Sequence, residues 1–248
     1  MIAWEESGAG PPVVFVHGIT EDRRGWDRVV PLFDGFRCVR LDLRGHGESS
    51  DAQDYSALAM AEDVAEVVRE ARIDEPPLLI GHSLGAFVVT VYAAQAPTKA
   101  VVNVDQSLRI GEFAVALQTL ADELRGPGFA DAVDAIIRSL GIEPLAGPDL
   151  EYASRKHRDA RQDVVLGVWE QVLDSSPADL DALVESVLPA VQVPYLAIHG
   201  SDPGAGYAEW LRSLVPHATV ELWDGDGHYL HLVEPDRFAA RVREFASK

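Results

Sequence analysis

Six short runs rich in Val, Ile and Leu recur along the chain: PPVVFVHG, FRCVRLDL, PPLLIGHS, KAVVNVDQ, PYLAIHG and ATVELWDG. Each has the length of a strand and ends in Gly, Asp, His or Ser, and several are apolar throughout, as strands buried on both faces of a sheet must be. Between them lie helical patterns: WDRVVPLF, SALAMAEDVAEVVREAR, LGAFVVTVYAAQA, YAEWLRSLV and PDRFAARVREFA. A helix between two strands is the crossover that a parallel pair needs. The alternation therefore predicts an α/β fold, a mostly parallel twisted sheet with helices on both faces.

The rhythm breaks from about Ser107 to Pro189. That interval holds only helical stretches (GEFAVALQTLADELR, FADAVDAIIRSL, ARQDVVLGVWEQVL and LDALVESVL) punctuated by Gly and Pro. It is far too long for an ordinary connection, so it is expected to be a packed helical insertion. The expected division is a core of residues 1–106 and 190–248 with an insertion at 107–189. With 248 residues and 47% of them hydrophobic, the chain can bury one large core without metals or disulfides.

Forty acidic against twenty-one basic residues give a formal charge of −19, spread along the chain. Such a surface repels phosphate backbones and anionic bilayers, so neither nucleic acid nor a membrane is an expected partner. The single cysteine, Cys38, lies in an apolar stretch and reads as a small buried hydrophobe. No leader-like h-region and no long apolar span is evident, and the expected location is the cytoplasm. Nothing in the sequence speaks to oligomeric state.

GHSLG, residues 81–85, follows the strand-like PPLLI and precedes the helix-like AFVVTVYAAQA. GxSxG is a weak pattern alone, but between a strand and a helix it is the turn that thrusts a serine into the open. Gly81 and Gly85 remove side chains that would crowd a sharply bent backbone, which leaves Ser83 as candidate nucleophile. The N–H of Leu84, at the helix start, is free to face an oxyanion.

A serine hydroxyl needs a histidine to take its proton and an acid to orient that histidine. His17, His46, His82 and His199 abut Gly or Ser at strand ends and read as structural; His157 and His217 lie in polar stretches and read as solvated. His228, in WDGDGHYLHLVEPDRF, sits on a loop after a strand, where open α/β sheets carry their chemistry. His228 and His231 lack the third ligand or HExxH pattern of a metal site, so neither metal nor other cofactor is expected.

FVHG (15–18), DLRGHGES (42–49), GHSLG (81–85), IHGSD (198–202) and GDGHYLHLVEPDRF (225–238) together resemble the α/β-hydrolase superfamily in order and spacing. The resemblance covers nearly all of the chain except 107–189, which corresponds to the superfamily's variable cap, inserted after its sixth strand. It implies about seven to eight strands, the first of the usual eight being absent because only MIAWEESG precedes PPVVFVHG. It also implies Ser83 as nucleophile, His228 as general base, and a second oxyanion N–H at Ile19 to pair with Leu84.

The resemblance places the acid after the seventh strand, where Asp202 stands one residue earlier than usual. Asp105, at the end of the sixth strand, is the place used by other members. Asp202 is the preferred acid, Asp105 the alternative, with Asp224 and Asp226 behind them. A serine at 83 disfavours dehalogenase and epoxide-hydrolase chemistry, which needs a carboxylate there. The expected reaction is hydrolysis of small to medium esters or lactones through an acyl-enzyme. Carbon–carbon bond hydrolysis, with Arg109 or Arg155 reading a substrate carboxylate, and cofactor-free perhydrolysis are the alternatives; a non-catalytic receptor on the same fold is a further one. Phe113, Phe129, Tyr152, Trp169 and Trp26 are candidates to line the pocket.

Overall fold

The computed structural model describes residues 1–247. Seven strands, β1 (Trp4–Gly8), β2 (Pro12–Val16), β3 (Arg37–Leu41), β4 (Leu78–His82), β5 (Ala100–Val104), β6 (Tyr195–His199) and β7 (Ala218–Leu222), form one sheet in the order β1-β3-β2-β4-β5-β6-β7. All neighbours run parallel except β1, which pairs antiparallel with β3. The six apolar runs are β2 to β7. β1, the sequence WEESG, carried no apolar run because it is an edge strand, with one neighbour and an exposed far end. In the strand count implied by the resemblance, β5 and β6 here stand for the sixth and seventh strands.

β2, β4, β5 and β6 are buried at every position, and their side chains alternate between two cores. Val14, Val16, Leu79, Val101 and Ala197 face one side, packed with α1 (Ala57–Glu70) and α2 (Leu84–Ala93). Val13, Phe15, Ile80, Val102 and Ile198 face the other, against Trp26, Phe33 and the last helix. This is the period-two geometry of a strand. Each such aliphatic side chain contributes about 1.5–3 kcal/mol by leaving water. Cys38 lies in the second core, where burial pushes its thiol up to about 11.

Between β5 and β6 the chain runs through α3 (Ile110–Gln118), α4 (Ala121–Arg125), α5 (Phe129–Ser139), α6 (Gly147–Arg158), α7 (Gln162–Asp174) and α8 (Pro177–Val187). The helical stretch 111–125 is split, since α3 ends at Gln118 and Leu120 leads into α4. α6 lacks an apolar stripe, with only Ala153 and His157 buried, and no pattern in the sequence announced it. α9 (Tyr207–Leu214), the short α10 (Leu230–Val233) and α11 (Pro235–Ala246) complete the chain. WDRVVPLF is not an α-helix: it begins at the last residue of one 3-10 turn, Arg23–Trp26, and contains a second, Val30–Leu32, with Pro31 inside it. No helix among the described residues is long and apolar enough to cross a membrane.

Candidate active site

Ser83 stands between the last residue of β4 and the first of α2, at φ 51° and ψ −122°, a region that residues with a Cβ rarely adopt. The turn is locked from both sides. The Ser83 N–H donates to the Val104 carbonyl at 3.0 Å, and the Ser83 carbonyl accepts from the Ala86 N–H at 2.8 Å. A Cβ on Gly81 would lie 2.3 Å from the Gly85 carbonyl oxygen, and one on Gly85 would lie 2.3 Å from that of Val16 and 2.5 Å from that of His17. Two glycines therefore allow the bend, and Gly85 lets the start of α2 press against the end of β2. Ile19 follows β2 on that side, and Ile19 and Leu84 share one apolar cluster. The first N–H groups of a helix have no intrahelical acceptor, which leaves that of Leu84 for a ligand.

His228 lies on the loop between β7 and α10, and its ring is 4.6 Å, centroid to centroid, from that of His82, the residue before Ser83. Its Nδ1 donates to Asp105 Oδ2 at 2.6 Å. Asp105 follows β5 directly, at φ 53°, and its Oδ1 accepts the Gly200 N–H at 2.8 Å. Burial alone would raise its carboxyl; the hydrogen bond and charge of His228, with the Gly200 N–H and His199, outweigh that and hold it below the ordinary carboxylate range. An ionised Asp105 only accepts, so Nδ1 of His228 carries the proton of this bond.

The expectation that Asp202 orients His228 is corrected by this geometry. Asp202 is exposed, and its Oδ1 accepts the Gly204 N–H at 2.9 Å, closing its own Asp-Pro-Gly turn. The reason is where the histidine loop returns to the sheet. It packs on Gly200, where a Cβ would lie 1.9 Å from the Gly227 carbonyl oxygen, and that contact points His228 across the end of β6 to the end of β5. Asp226 pairs instead with Arg237.

His157, read as solvated, is buried; its Nε2 lies 3.0 Å from the Tyr229 hydroxyl, and burial lowers its pKa to about 4. The helical segment also meets the histidine loop through the Gly141 carbonyl, which accepts the His228 N–H at 2.8 Å. Phe113 and Trp169 are in ring contact at 6.0 Å within the cluster of Ile19 and Leu84, and Phe129 belongs to the same cluster. Tyr152 instead bonds Asp22 through its hydroxyl. Trp26 is core, in tilted ring contact with Phe15 and His231. Arg109 donates to the carbonyls of Ala205 and Gly206 and lies over Trp210, while Arg155 is exposed.

Sequence reasoning missed Glu21. It is buried, its Oε1 lies 3.0 Å from His82 Nδ1, and its Oε2 accepts the Gly18 N–H at 3.3 Å. The available signal was a carboxylate inside the turn after β2, together with a histidine directly before the serine. No group of His, Cys, Asp and Glu among the described residues could hold a metal ion.

A parallel sheet crossed by helices, a serine on a strained strand-to-helix turn and a histidine–carboxylate pair beside it define a hydrolase-type α/β protein. A family model for the alpha/beta hydrolase family matches residues 13–241, and the chain belongs to that family of enzymes. It is 27% identical over 270 residues to a non-heme haloperoxidase of Rhodococcus erythropolis, covering 98% of this chain and 95% of that protein. It is 28% identical over 206 residues to a bifunctional esterase/perhydrolase of Acinetobacter calcoaceticus, covering 77% and 74%. Among solved structures it is similar to a thermophilic esterase from Thermogutta terrifontis, with a TM-score of 0.79 and 23% identity over 98% of this chain and 92% of that one. It is also similar to the enol-lactonase from Burkholderia xenovorans LB400, with a TM-score of 0.81 and 18% identity over 100% and 96%.

Proposed function

We propose that the chain is a serine hydrolase that cleaves esters or lactones of small to medium acyl groups, with Ser83, His228 and Asp105 as its triad and the N–H groups of Ile19 and Leu84 as its oxyanion hole. The observation that carries this reading is the 2.6 Å bond between His228 Nδ1 and Asp105 beside the strained Ser83 turn. Ser83 Oγ attacks the acyl carbon while His228 Nε2 takes its proton, and the carbonyl oxygen, now negative, is met by the two N–H groups. The C–O bond then breaks, the leaving oxygen takes the proton from His228, and the acyl group stays on Ser83. Water attacks that ester, His228 takes its proton and returns it to Ser83, and the acid departs.

Residues 107–189 act as the cap of this site. Phe113 and Trp169, in the cluster with Ile19 and Leu84, favour an apolar acyl group. The charge of −19 disfavours anionic substrates. A second reading has hydrogen peroxide replace water at the acyl-enzyme to yield a peracid. It is favoured by the relatives named as a haloperoxidase and as an esterase/perhydrolase. The contacts of Arg109 give no support to a carboxylate reader for carbon–carbon bond hydrolysis.

The test is a panel of p-nitrophenyl esters of graded chain length, with lactones, offered to wild type and Ser83→Ala, with and without peroxide. Cleavage that depends on Ser83 is expected, fastest with short or medium chains. Cleavage that survives Ser83→Ala, or none in wild type, overturns the reading.

A further inference from the structure

We propose that Glu21 and His82 form a buried ion pair that braces the oxyanion turn against the main chain of His228, making both of them positioning residues for the serine-hydrolase reading on which this inference rests.

The argument begins with His82. Its side chain is fully buried, and each ring nitrogen faces an acceptor: Nε2 lies 2.9 Å from the His228 carbonyl oxygen and Nδ1 lies 3.0 Å from Glu21 Oε1. A carbonyl can only accept, so Nε2 donates to it, and the Glu21 carboxylate beside Nδ1, in ionic contact with no hydrogen bond formed, favours a second proton there and hence the imidazolium. A buried imidazolium or a buried carboxylate alone is expensive, and here each offsets the other. The titration directions agree. Burial would raise Glu21 and lower His82, yet their mutual attraction holds the Glu21 carboxyl well below its ordinary range and the His82 ring above its own.

The groups packed around the pair leave the charge where it is. His231, 4.6 Å from the His82 ring, is kept neutral by burial and by the charge of His82. Tyr229, with its ring 4.9 Å from that of His82, keeps its proton because of burial and Glu21. Burial holds His157 neutral at neutral pH. Asp105 adds its charge to that of Glu21 in raising His82.

The second oxygen of Glu21 gives the pair its mechanical role. It accepts the N–H of Gly18, the residue before Ile19. A continuous path thus runs from Gly18 through Glu21 and His82 to the His228 carbonyl, joining the turn that carries one oxyanion donor to the loop that carries the base. Gly18 leaves room for it, because a Cβ there would lie 2.7 Å from Glu21 Oε1 and 3.0 Å from His82 Nδ1. Catalytic groups lose rate when displaced by fractions of an ångström, and a brace that fixes donor and base relative to each other acts on the transition state more than on substrate binding.

The test combines 15N NMR of the histidine rings with kinetics on Glu21→Gln and Glu21→Asp, using the best p-nitrophenyl ester. In wild type both ring nitrogens of His82 are expected to show imidazolium shifts at a pH above the ordinary histidine value of about 6.5. Glu21→Gln is expected to make His82 neutral and to lower kcat about 100-fold with KM within about twofold, while Glu21→Asp recovers most of the rate. A neutral His82 in wild type overturns the proposal, as does a Glu21→Gln variant with wild-type kcat, or one whose losses in kcat and KM track its melting temperature. Should Glu21→Gln not fold, the wild-type spectrum and Glu21→Asp still decide. If Ser83→Ala retains ester cleavage while the imidazolium signature is present, the hydrolase reading has failed and the ion pair stands.

Discussion

The imidazole of His228 and the carboxylate of Asp105, 123 residues apart in the chain, meet at 2.6 Å. Asp105 is the residue directly after β5, one strand nearer the centre of the sheet than the turn that holds Asp202. The other Asp105 oxygen is anchored by the Gly200 N–H. The histidine is therefore oriented by a carboxylate that the main chain itself holds in place.

Asp105→Asn is expected to lower kcat by about three to four powers of ten, because an amide at this position can stabilise the wrong tautomer of His228. Asp202→Asn should leave kcat within about twofold, since Asn closes the same turn with Gly204. Parallel steady-state kinetics of the two variants decide it, and a larger loss at Asp202 would reverse the assignment.

Ser83→Gly should be inactive yet more stable. The φ of 51° and ψ of −122° strain any residue with a Cβ, and relief of that strain contributes about 1–3 kcal/mol. For a chain of this size that amounts to a rise in melting temperature of about 2–4 °C per kcal/mol. Calorimetry of Ser83→Gly beside Ser83→Ala separates the backbone effect from loss of the hydroxyl. Equal melting temperatures would argue against stored strain at the turn.

Gly200→Ala drives a Cβ into the carbonyl of Gly227, the residue before His228. Backbone against backbone has no flexible end to yield, so the histidine loop must move. The expected result is a loss of about 1–3 kcal/mol in stability and of 10- to 100-fold in kcat/KM. Urea unfolding and ester hydrolysis measure the two, and an unaffected variant would show that the loop has slack.

Stability should fall on mild acidification. Burial depresses both His46 and His157 to about 4 from the ordinary 6.5. Between those values the unfolded chain binds protons that the folded chain does not, so stability declines as pH drops through this window, by up to about 1.4 kcal/mol per pH unit and per site. Glu21 and Asp105, with lowered pKa values, add further loss below the ordinary carboxylate range. His82 works in the opposite sense, its contribution being present at low pH and lost as pH rises through its raised value. His157→Gln, which can still bond the Tyr229 hydroxyl, should flatten the slope between pH 6.5 and 4. Urea titrations at stepped pH test this, and an unchanged slope would remove His157 from the account.

What could be read along the chain was what depends on near neighbours. Strands β2, β4, β5 and β6 announce themselves because residues buried on both faces must be apolar in nearly unbroken runs, and β3 and β7, partly exposed, still show through their Val- and Leu-rich composition. Ser83 announces itself because a strand, two glycines and a helix within a few positions permit only one kind of bend. Elements whose residues face water were silent: β1 lies at the sheet edge with Glu5 and Glu6, and α6 has almost no apolar stripe, so His157 passed for a solvated residue.

Which carboxylate meets His228 was beyond any local reading. Asp105 and Asp202 both end buried parallel strands, and sequence separation does not say which strand end a distant histidine will face. Only the packing of the His228 loop on Gly200, with its backbone held by Gly141 and His82, selects Asp105. The same holds for Glu21 and His82, whose opposite charges are stable in the interior only because the fold brings them within reach of each other. Local sequence thus determined the strands, the bend and the chemical types present, because those rest on short-range sterics and solvation. The pairing of charges across the sheet was decided by tertiary structure, because a buried charge is stabilised by whatever stands a few ångströms away, regardless of chain distance.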